Sequence, residues 1–586
     1  MTDIAQRSQN LVQEFMNRGA ADPAGAGVGM ADMASVGGAF LELTAKMMAE
    51  PQKLMEAQVN LWRGYMELWR NATLQALGHE AAAPVAPEAS DKRFNDPAWQ
   101  ENQVFNFIKQ SYLLTARWMQ STVAGVDGLD PHTKHKVEFF TRQFADALAP
   151  TNFAVTNPQV LRATAESKGE NLVKGLQNLL EDMEKGKGRL RVSMTDEAAF
   201  KVGENVAATP GKVVAETPLM QLIQYTPTTA AVKEIPVVII PPWINKFYIL
   251  DLREKNSLVK WLTDQGYTTF IVSWVNPDAA LADTSFDDYM LKGAIAAKDA
   301  ALAATGAKQT HMVGYCIGGT LLASTLAYLK TKKDATVASA TYFVTLTDFS
   351  EPGDLGVFID DAQISSIEKR MEETGYLDAG DMAMSFNMLR SNDLIWSFVV
   401  NNYLLGKEPF PFDLLYWNAD STRMPRAMHS FYLRKMYLEN KLREPGGLSL
   451  GGVPIDLRTV DVPTYMISCR EDHIAPWKST FAATNLFSGP TKFVLSGSGH
   501  IAGVVNAPAA KKYGYWTNDK AKTGKKAQTP DEWLAGATEH PGSWWTDWEA
   551  WLKPKSGAEV PARQPGGGKL KVIENAPGRY VKARAV

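Results

Sequence analysis

Cys316 lies in Gly314-Tyr315-Cys316-Ile317-Gly318-Gly319, with a short β-prone run at 309–313 before it and a breaker-free helical run at 320–329 after it. Strand, tight turn and helix form the layout of a nucleophile elbow, whose usual pattern is G-x-S-x-G. The flanking glycines let backbone segments approach closely while the nucleophile takes a strained conformation at the turn. Here a thiol stands where a hydroxyl is usual. A thiol ionises with little help, and a helix N-terminus behind it favours the thiolate. The bland alternative is a small buried cysteine in a Gly-rich turn.

A thiol nucleophile needs a base, and the base needs an orienting acid. Elbow folds carry them in the chain order nucleophile, acid, histidine. His500, in Ser496-Gly497-Ser498-Gly499-His500-Ile501, sits in a Gly-rich loop directly after an apolar run at 492–495, where the base belongs. Asp472 ends another such run in Cys469-Arg470-Glu471-Asp472-His473, one strand earlier, and is the candidate acid. Glu471 competes, but its side chain would point the other way on an extended segment. Asp348 also follows a strand and is the weaker candidate. His473 is either a second polar site residue or the end of a turn. His429 and His540 lie in less suitable contexts, and Cys469 reads as a core thiol. The oxyanion hole would use the amide of Ile317 and one from the loop after Pro241-Pro242, supplied by Ile244 or Asn245. That loop, 241–252, is unusually apolar, which implies a greasy, covered pocket.

These residues need a scaffold to bring them together. A chain of 586 residues exceeds one compact core, so two domains plus tails are expected. With 45% hydrophobic and 21% charged residues, the composition is that of a soluble globular protein. A net charge of −3 gives no broad reason to expect nucleic-acid binding. Two cysteines argue against a disulfide framework and against a Cys-based metal site, and no metal or cofactor is expected. No secretory signal is visible at the N-terminus, and no run approaches the roughly 18 apolar residues of a membrane span. A cytoplasmic location is the expectation.

Residues 1–90 read as a mobile Gly/Ala-rich start, then Met- and Trp-rich amphipathic helices over 40–77 with Pro51 opening the second, then a linker. Residues 91–200 read as a helical domain with helices at 102–122, 132–148 and 158–183. Residues 201–560 read as the catalytic domain. There, strand-like runs at 235–240, 268–274, 337–346, 464–469 and 492–495 are separated by helical ones, as in a mostly parallel sheet covered on both faces. Between about 348 and 447 the alternation gives way to aromatic, Met-rich helical sequence, expected to cap the site. A Trp-rich stretch follows, and residues 561–586 form a basic tail expected to be solvated. The fold class is α/β: an α/β-hydrolase fold with a helical cap insertion, preceded by an all-helical N-terminal domain.

The loop 241–252, the box around Cys316, Arg470-Glu471-Asp472-His473-Ile474-Ala475-Pro476-Trp477 and Gly499-His500-Ile501-Ala502-Gly503 together resemble the polyhydroxyalkanoate synthases. Asp91-Lys92-Arg93-Phe94, Pro150-Thr151-Asn152-Phe153 and Tyr416-Trp417-Asn418-Ala419-Asp420 extend the likeness from about 91 to 506. Asn506-Ala507-Pro508 departs from the double proline of the family, at a position beyond the triad. Full length and a helical N-terminal region make the chain similar to the class I enzymes, which act without a different catalytic subunit.

The resemblance implies an acyltransferase that polymerises (R)-3-hydroxyacyl-CoA, with 3-hydroxybutyryl-CoA as the expected monomer, and releases CoA. CoA is part of the substrate and leaving group rather than a cofactor. Cys316 would carry the acyl chain as a thioester and His500 would take the thiol proton. His500 or Asp472 would activate the incoming 3-hydroxyl, while a dry pocket keeps water out. Ala502, where the family tunes monomer preference, joins His473 and Asn245 as a substrate-pocket candidate. The family also implies a homodimer resident on polyester granules, in contact with the growing chain, the granule surface and phasin-type proteins. The 40–77 helices are the natural contact elements. The rivals are a cysteine thioesterase or polyester depolymerase on the same fold, and a granule-associated structural protein without catalysis.

Overall fold

The computed structural model describes residue 7 and residues 29–79, 82–187, 189–521 and 528–585. Most of the expected mobile start therefore lies outside the described residues. From Met33 the chain is helical, so Gly37 and Gly38 belong to a helix rather than to a mobile stretch. Asp32 caps this helix by accepting from Ala34 N, and Val36, Ala39 and Leu43 are its buried face. Two compact units follow from the contacts, residues 1–196 with 384–410, and residues 197–383 with 411–586.

The first unit is helical. Its helices run over Met33–Ala49, Pro51–Ala76, Gln103–Ala124, Pro131–Ala147, Pro158–Glu166 and Glu170–Lys185. Asn102, Asp130 and Asn157 cap three of them with side-chain oxygens, and prolines open three in the first turn, where no N–H is needed. The expected single helix at 158–183 is two. Lys168 (φ 53) and Gly169 (φ 89) turn left-handed between them. The segment 384–410, inside the expected cap interval, groups with this unit. The Asp182 carboxylate accepts from Tyr403 OH at 2.6 Å, and Asn171 Nδ2 donates to the Leu404 carbonyl at 2.8 Å.

The second unit is built on a sheet. Its first seven strands are β1 (Gly211–Glu216), β2 (Met220–Tyr225), β3 (Ala231–Lys233), β4 (Val237–Ile240), β5 (Thr269–Trp274), β6 (Thr310–Tyr315) and β7 (Val337–Phe343). Two short pairs follow, β8 (Tyr376–Leu377) with β9 (Met424–Pro425), and β10 (Leu448–Leu450) with β11 (Val453–Ile455). The last six are β12 (Thr464–Cys469), β13 (Thr491–Ser496), β14 (Gly514–Thr517), β15 (Thr538–Pro541), β16 (Glu559–Pro561) and β17 (Glu574–Asn575). The main sheet has the order β15-β14-β13-β12-β7-β6-β4-β5-β2-β1-β17. From β5 to β13 its neighbours are parallel, and both flanks are antiparallel. The apolar runs are strands because both faces are covered: every residue of β4, β5 and β6 is buried. The run at 337–346 stops as a strand at Phe343, because Val344 turns left-handed (φ 44).

The tail is not the solvated appendage expected. Asn575 and Glu574 pair with Lys212 and Val213 of β1, and Arg584 meets Glu197 at 2.7 Å. Lys246 Nζ donates to the carbonyls of Val581 and Ala583.

Two histidines bury no charge. Burial, with Lys555 adding to it, pushes His311 on β6 down to about 3, and burial pushes His429 down to about 4. Well above pH 6.5 both are neutral folded or unfolded. As pH falls, the unfolded chain takes protons that the folded one refuses, so stability drops. Burial raises Asp251 to about 6 against its hydrogen bonds to Thr209 and Ser257, and this carboxyl acts in the opposite sense over the same range. Comparison with a variant isolates one group. Denaturant titrations of wild type and His311→Gln should show wild type losing about 2 kcal/mol more between pH 7 and pH 5. Equal losses would mean that His311 is protonated in the fold.

Candidate active site

Cys316 is the N-cap of the helix Ile317–Thr331, and its backbone sits at φ 53, ψ −123. A side chain there costs about 1–3 kcal/mol and persists only when the surroundings hold it. The surroundings do so. Cys316 N donates to the Phe343 carbonyl (2.9 Å), and its own carbonyl accepts from Gly319 N (2.8 Å) and Thr320 N (3.2 Å). A Cβ on Gly318 would collide with the carbonyls of Ile240 and Pro241, and one on Gly319 with the Thr345 side chain. The glycines thus let the helix start press against the ends of β4 and β7.

His500 and Asp472 meet as the chain order anticipates. His500 Nδ1 lies 2.7 Å from Asp472 Oδ2, and both side chains are buried. The other carboxylate oxygen, Oδ1, accepts from Ile474 N and Ala475 N, each at 2.9 Å. This is an Asx turn that fixes the acid at the end of β12. Burial alone would push the His500 imidazole down. The hydrogen-bonded Asp472 carboxylate first, and then the Cys316 sulfur, outweigh burial and hold it up at about 10. Cys316, Asp472 and His500 are therefore one electrostatic unit.

The histidine loop is held from behind. Tyr315 OH donates to the His500 carbonyl at 3.2 Å. The indoles of Trp544 and Trp545 donate to the carbonyls of Gly503 and Val504, each at 2.9 Å. This accounts for part of the Trp-rich stretch, which composition alone left without a role. Ala502 is half-buried in the same turn, two residues past His500. His473 is half-buried beside the acid, and its carbonyl accepts from Asp354 N at 3.0 Å.

Ile317 opens the helix behind Cys316, where N–H groups have no intrahelical acceptor. The loop with Ile244 and Asn245 is tied to residues 417–422. Thr422 Oγ1 donates to the carbonyls of Trp243 and Ile244, Asn245 bridges to Ser421, and the Trp417 indole donates to the Lys246 carbonyl at 2.7 Å.

The competing residues go elsewhere. Glu471 is exposed, and Asp348 accepts from Asn440 Nδ2 (2.8 Å) and pairs with Arg443 (3.0 Å). His540 is engaged with Thr517 on the neighbouring strand at 2.9 Å, and Cys469 is buried behind Gly503. Two residues at the site were missed: Tyr432 and Tyr437, on a π-helical turn, Tyr432–Leu438, of the cap. Burial raises both phenols, with Cys316 acting on each and Asp472 on Tyr437, so both stay neutral at pH 7. Phe349 packs on them, with ring centroids 6.1 and 4.9 Å away. Aromatic composition was visible in the sequence, but the π-turn that carries these rings was not.

Among the described residues, no cluster of three or more His, Cys, Asp or Glu side chains is placed to hold a metal ion, and no helix is long and apolar enough to cross a membrane.

Two family models match the chain: the N-terminus of poly-beta-hydroxybutyrate polymerase (PhaC) over residues 90–262, and the alpha/beta hydrolase fold over residues 235–507. A poly(3-hydroxyalkanoate) polymerase of Methylorubrum extorquens is 47% identical, over 99% of this chain and 98% of its own. The poly(3-hydroxyalkanoate) polymerase subunit PhaC of Rhizobium meliloti is 48% identical over 92% of this chain and 87% of its own. That of Cupriavidus necator is 42% identical over 93% and 91%. Among solved structures, an esterase from Rhodococcus sp. ECU1013 is similar at 16% identity and a TM-score of 0.30, covering 50% of this chain and 92% of its own.

The charge on His500 depends on Asp472. In Asp472→Asn, the first-ranked of the influences that raise the ring is gone while burial is unchanged, and the imidazole should titrate well below its value near 10. Proton resonances of the His500 ring, followed against pH, check this. A midpoint left unchanged would remove the carboxylate as its cause.

Proposed function

The chain belongs to the poly(3-hydroxyalkanoate) polymerases, and from that membership we propose that it polymerises (R)-3-hydroxyacyl-CoA, 3-hydroxybutyryl-CoA foremost, through an acyl chain carried on Cys316. What carries the proposal is a thiol at a strained elbow (φ 53) beside an imidazole that a buried carboxylate holds at 2.7 Å. The Cys316 sulfur attacks the thioester carbonyl, and the amides of Ile317 and Ile244 receive the developing oxyanion. The tetrahedral intermediate collapses, the C–S bond to CoA breaks, and CoA leaves as the thiol with the proton from His500. One thioester has replaced another, a nearly neutral exchange that leaves the chain activated.

The 3-hydroxyl of a further acyl unit then attacks the acyl carbon. His500 takes its proton, because both oxygens of Asp472 are already engaged, with His500 and with the amides of Ile474 and Ala475. Tyr432, Tyr437 and Phe349 give the site an aromatic wall that disfavours water as the competing nucleophile. Ala502, His473 and Asn245 are the pocket residues we assign to the acyl chain. No resident cofactor takes part in this scheme, since CoA arrives and leaves with each monomer.

Among its charged residues, the helix Pro51–Ala76 also exposes Met55, Trp62 (68% exposed), Met66 and Trp69. We assign this face to the granule surface in the cytoplasm, with a second copy of the chain or a phasin-type protein as its other partners.

Purified protein given (R)-3-hydroxybutyryl-CoA should release CoA in step with insoluble polyester. Cys316→Ala should lower turnover at least about a thousandfold, and Cys316→Ser should lose most polymerisation with an unchanged melting temperature. Stoichiometric free 3-hydroxybutyrate in place of polymer would mean that water wins at the acyl-enzyme, as in a thioesterase. Wild-type-like turnover by the serine variant would sink the thioester mechanism.

A further inference from the structure

Lys246 is a buried lysine whose charge the chemistry above does not use. Its side chain is 4% exposed and that of Asp420 3%, with Nζ 3.0 Å from Oδ1 of that aspartate. Its other two N–H groups go to backbone carbonyls 335 and 337 residues away, Val581 and Ala583, each at 2.7 Å. Asp420 is completed by Tyr248 OH at 2.9 Å. Burial pushes the Lys246 amine down against the pull of Asp420, and all three donors of its ammonium are met by acceptors.

The carbonyls belong to the C-terminal strap, which has its own anchors. Arg584 pairs with Glu197 at 2.7 Å and donates to Tyr416 OH at 2.6 Å, and Tyr580 OH donates to the Thr217 carbonyl at 2.9 Å. Lys246 lies two residues past Ile244. The start of that loop touches the elbow, since the Ile240 and Pro241 carbonyls abut Gly318. The far end is pinned separately, where Asp251 accepts from Ser257 Oγ at 2.7 Å. Between these points, Lys246 is where the loop is fastened to the C-terminus.

We propose that Lys246 is a positioning residue: the C-terminal carbonyls of Val581 and Ala583, with Asp420, clamp its ammonium and so hold the Ile244 amide within hydrogen-bond reach of the oxyanion that forms when Cys316 attacks. This rests on the acyl-transfer reading and on Ile244 as donor. Loss of the clamp leaves a buried cation without acceptors, or buried carbonyls without a donor, and either relaxes by moving the loop. A shift of about 1 Å in a transition-state donor is enough to cost up to a hundredfold in rate. Cys316 and His500 lie on other elements and keep their places.

The test compares two reactions of the same sulfur in the full-length protein. Turnover of (R)-3-hydroxybutyryl-CoA passes through an oxyanion. Alkylation of Cys316 by iodoacetamide forms the S–C bond as the C–I bond breaks, with no oxyanion. Lys246→Met and a chain ending at Tyr580 should each lose about 10- to 100-fold in kcat, with KM within about threefold and the alkylation rate within about twofold. The double variant should be no worse than the poorer single one, because both remove the same clamp. Arg584→Ala, which leaves Lys246 and Asp420 in place, should show the same selective loss to a smaller degree, and it decides the matter if Lys246→Met does not fold. Full kcat in a folded variant, losses that multiply, or alkylation falling in step with turnover would each overturn the clamp. A wild type that releases no CoA would instead overturn the acyl-transfer reading itself.

Discussion

A left-handed backbone at Cys316 is the constraint on which the rest of the second unit converges. At φ 53 a cysteine is strained, and the bonds its carbonyl accepts from Gly319 and Thr320 are only part of what holds it. The rest of the compensation comes from the two strands beside it. Phe343 at the end of β7 supplies the acceptor for Cys316 N, and the ends of β4 and β7 press so closely on the helix start that positions 318 and 319 have no room for a Cβ. β7 itself stops where Val344 turns left-handed. The parallel core of the sheet thus aims a sulfur above its C-terminal edge, where the loops after β12 and β13 bring the carboxylate and the imidazole.

The polar groups of the site are built in layers that share one logic, that a buried charge must have all its directions filled. Asp472 spends one oxygen on two backbone amides and the other on His500. The His500 loop spends its carbonyls on Tyr315, Trp544 and Trp545. Lys246 spends its three donors on Asp420 and on the end of the chain. Aromatic donors and distant backbone carbonyls recur because they satisfy a buried group without adding another charge to a low-dielectric site.

This division explains what could be seen in the sequence. Cys316, Asp472 and His500 are each marked locally, by a Gly-rich turn or by a strand end, and their order along the chain suffices to group them. The parallel strands are marked by apolar runs. Long-range satisfaction has no local mark. The partners of Lys246 lie in a segment that reads as a basic tail, and the indoles behind His500 read only as a Trp-rich stretch. Tyr432 and Tyr437, whose phenols feel the Cys316 sulfur, lie on a π-turn of the cap, and hydrophobic periodicity does not report such a turn. The break at Gly169 was missed for a related reason, since the apolar pattern runs through it while the backbone does not.

The charge balance around His500 also gives the proposed reaction a direction. In the free enzyme, Asp472 and the Cys316 sulfur together hold the imidazole near 10, so the ring keeps its proton and the sulfur stays poised to attack. Acylation converts that sulfur into a neutral thioester and removes one of the two influences that raise the ring, while burial, which lowers it, is unchanged. The imidazolium is a stronger acid once the sulfur carries the chain, which favours delivery of its proton to departing CoA. The neutral ring left behind is the base that the incoming 3-hydroxyl requires. Its attack regenerates the free sulfur and with it the higher pKa. A serine alkoxide at this position would need a far stronger base to form, and its oxoester would leave the chain less activated toward the next hydroxyl. A thiol at the elbow lets one histidine alternate between acid and base.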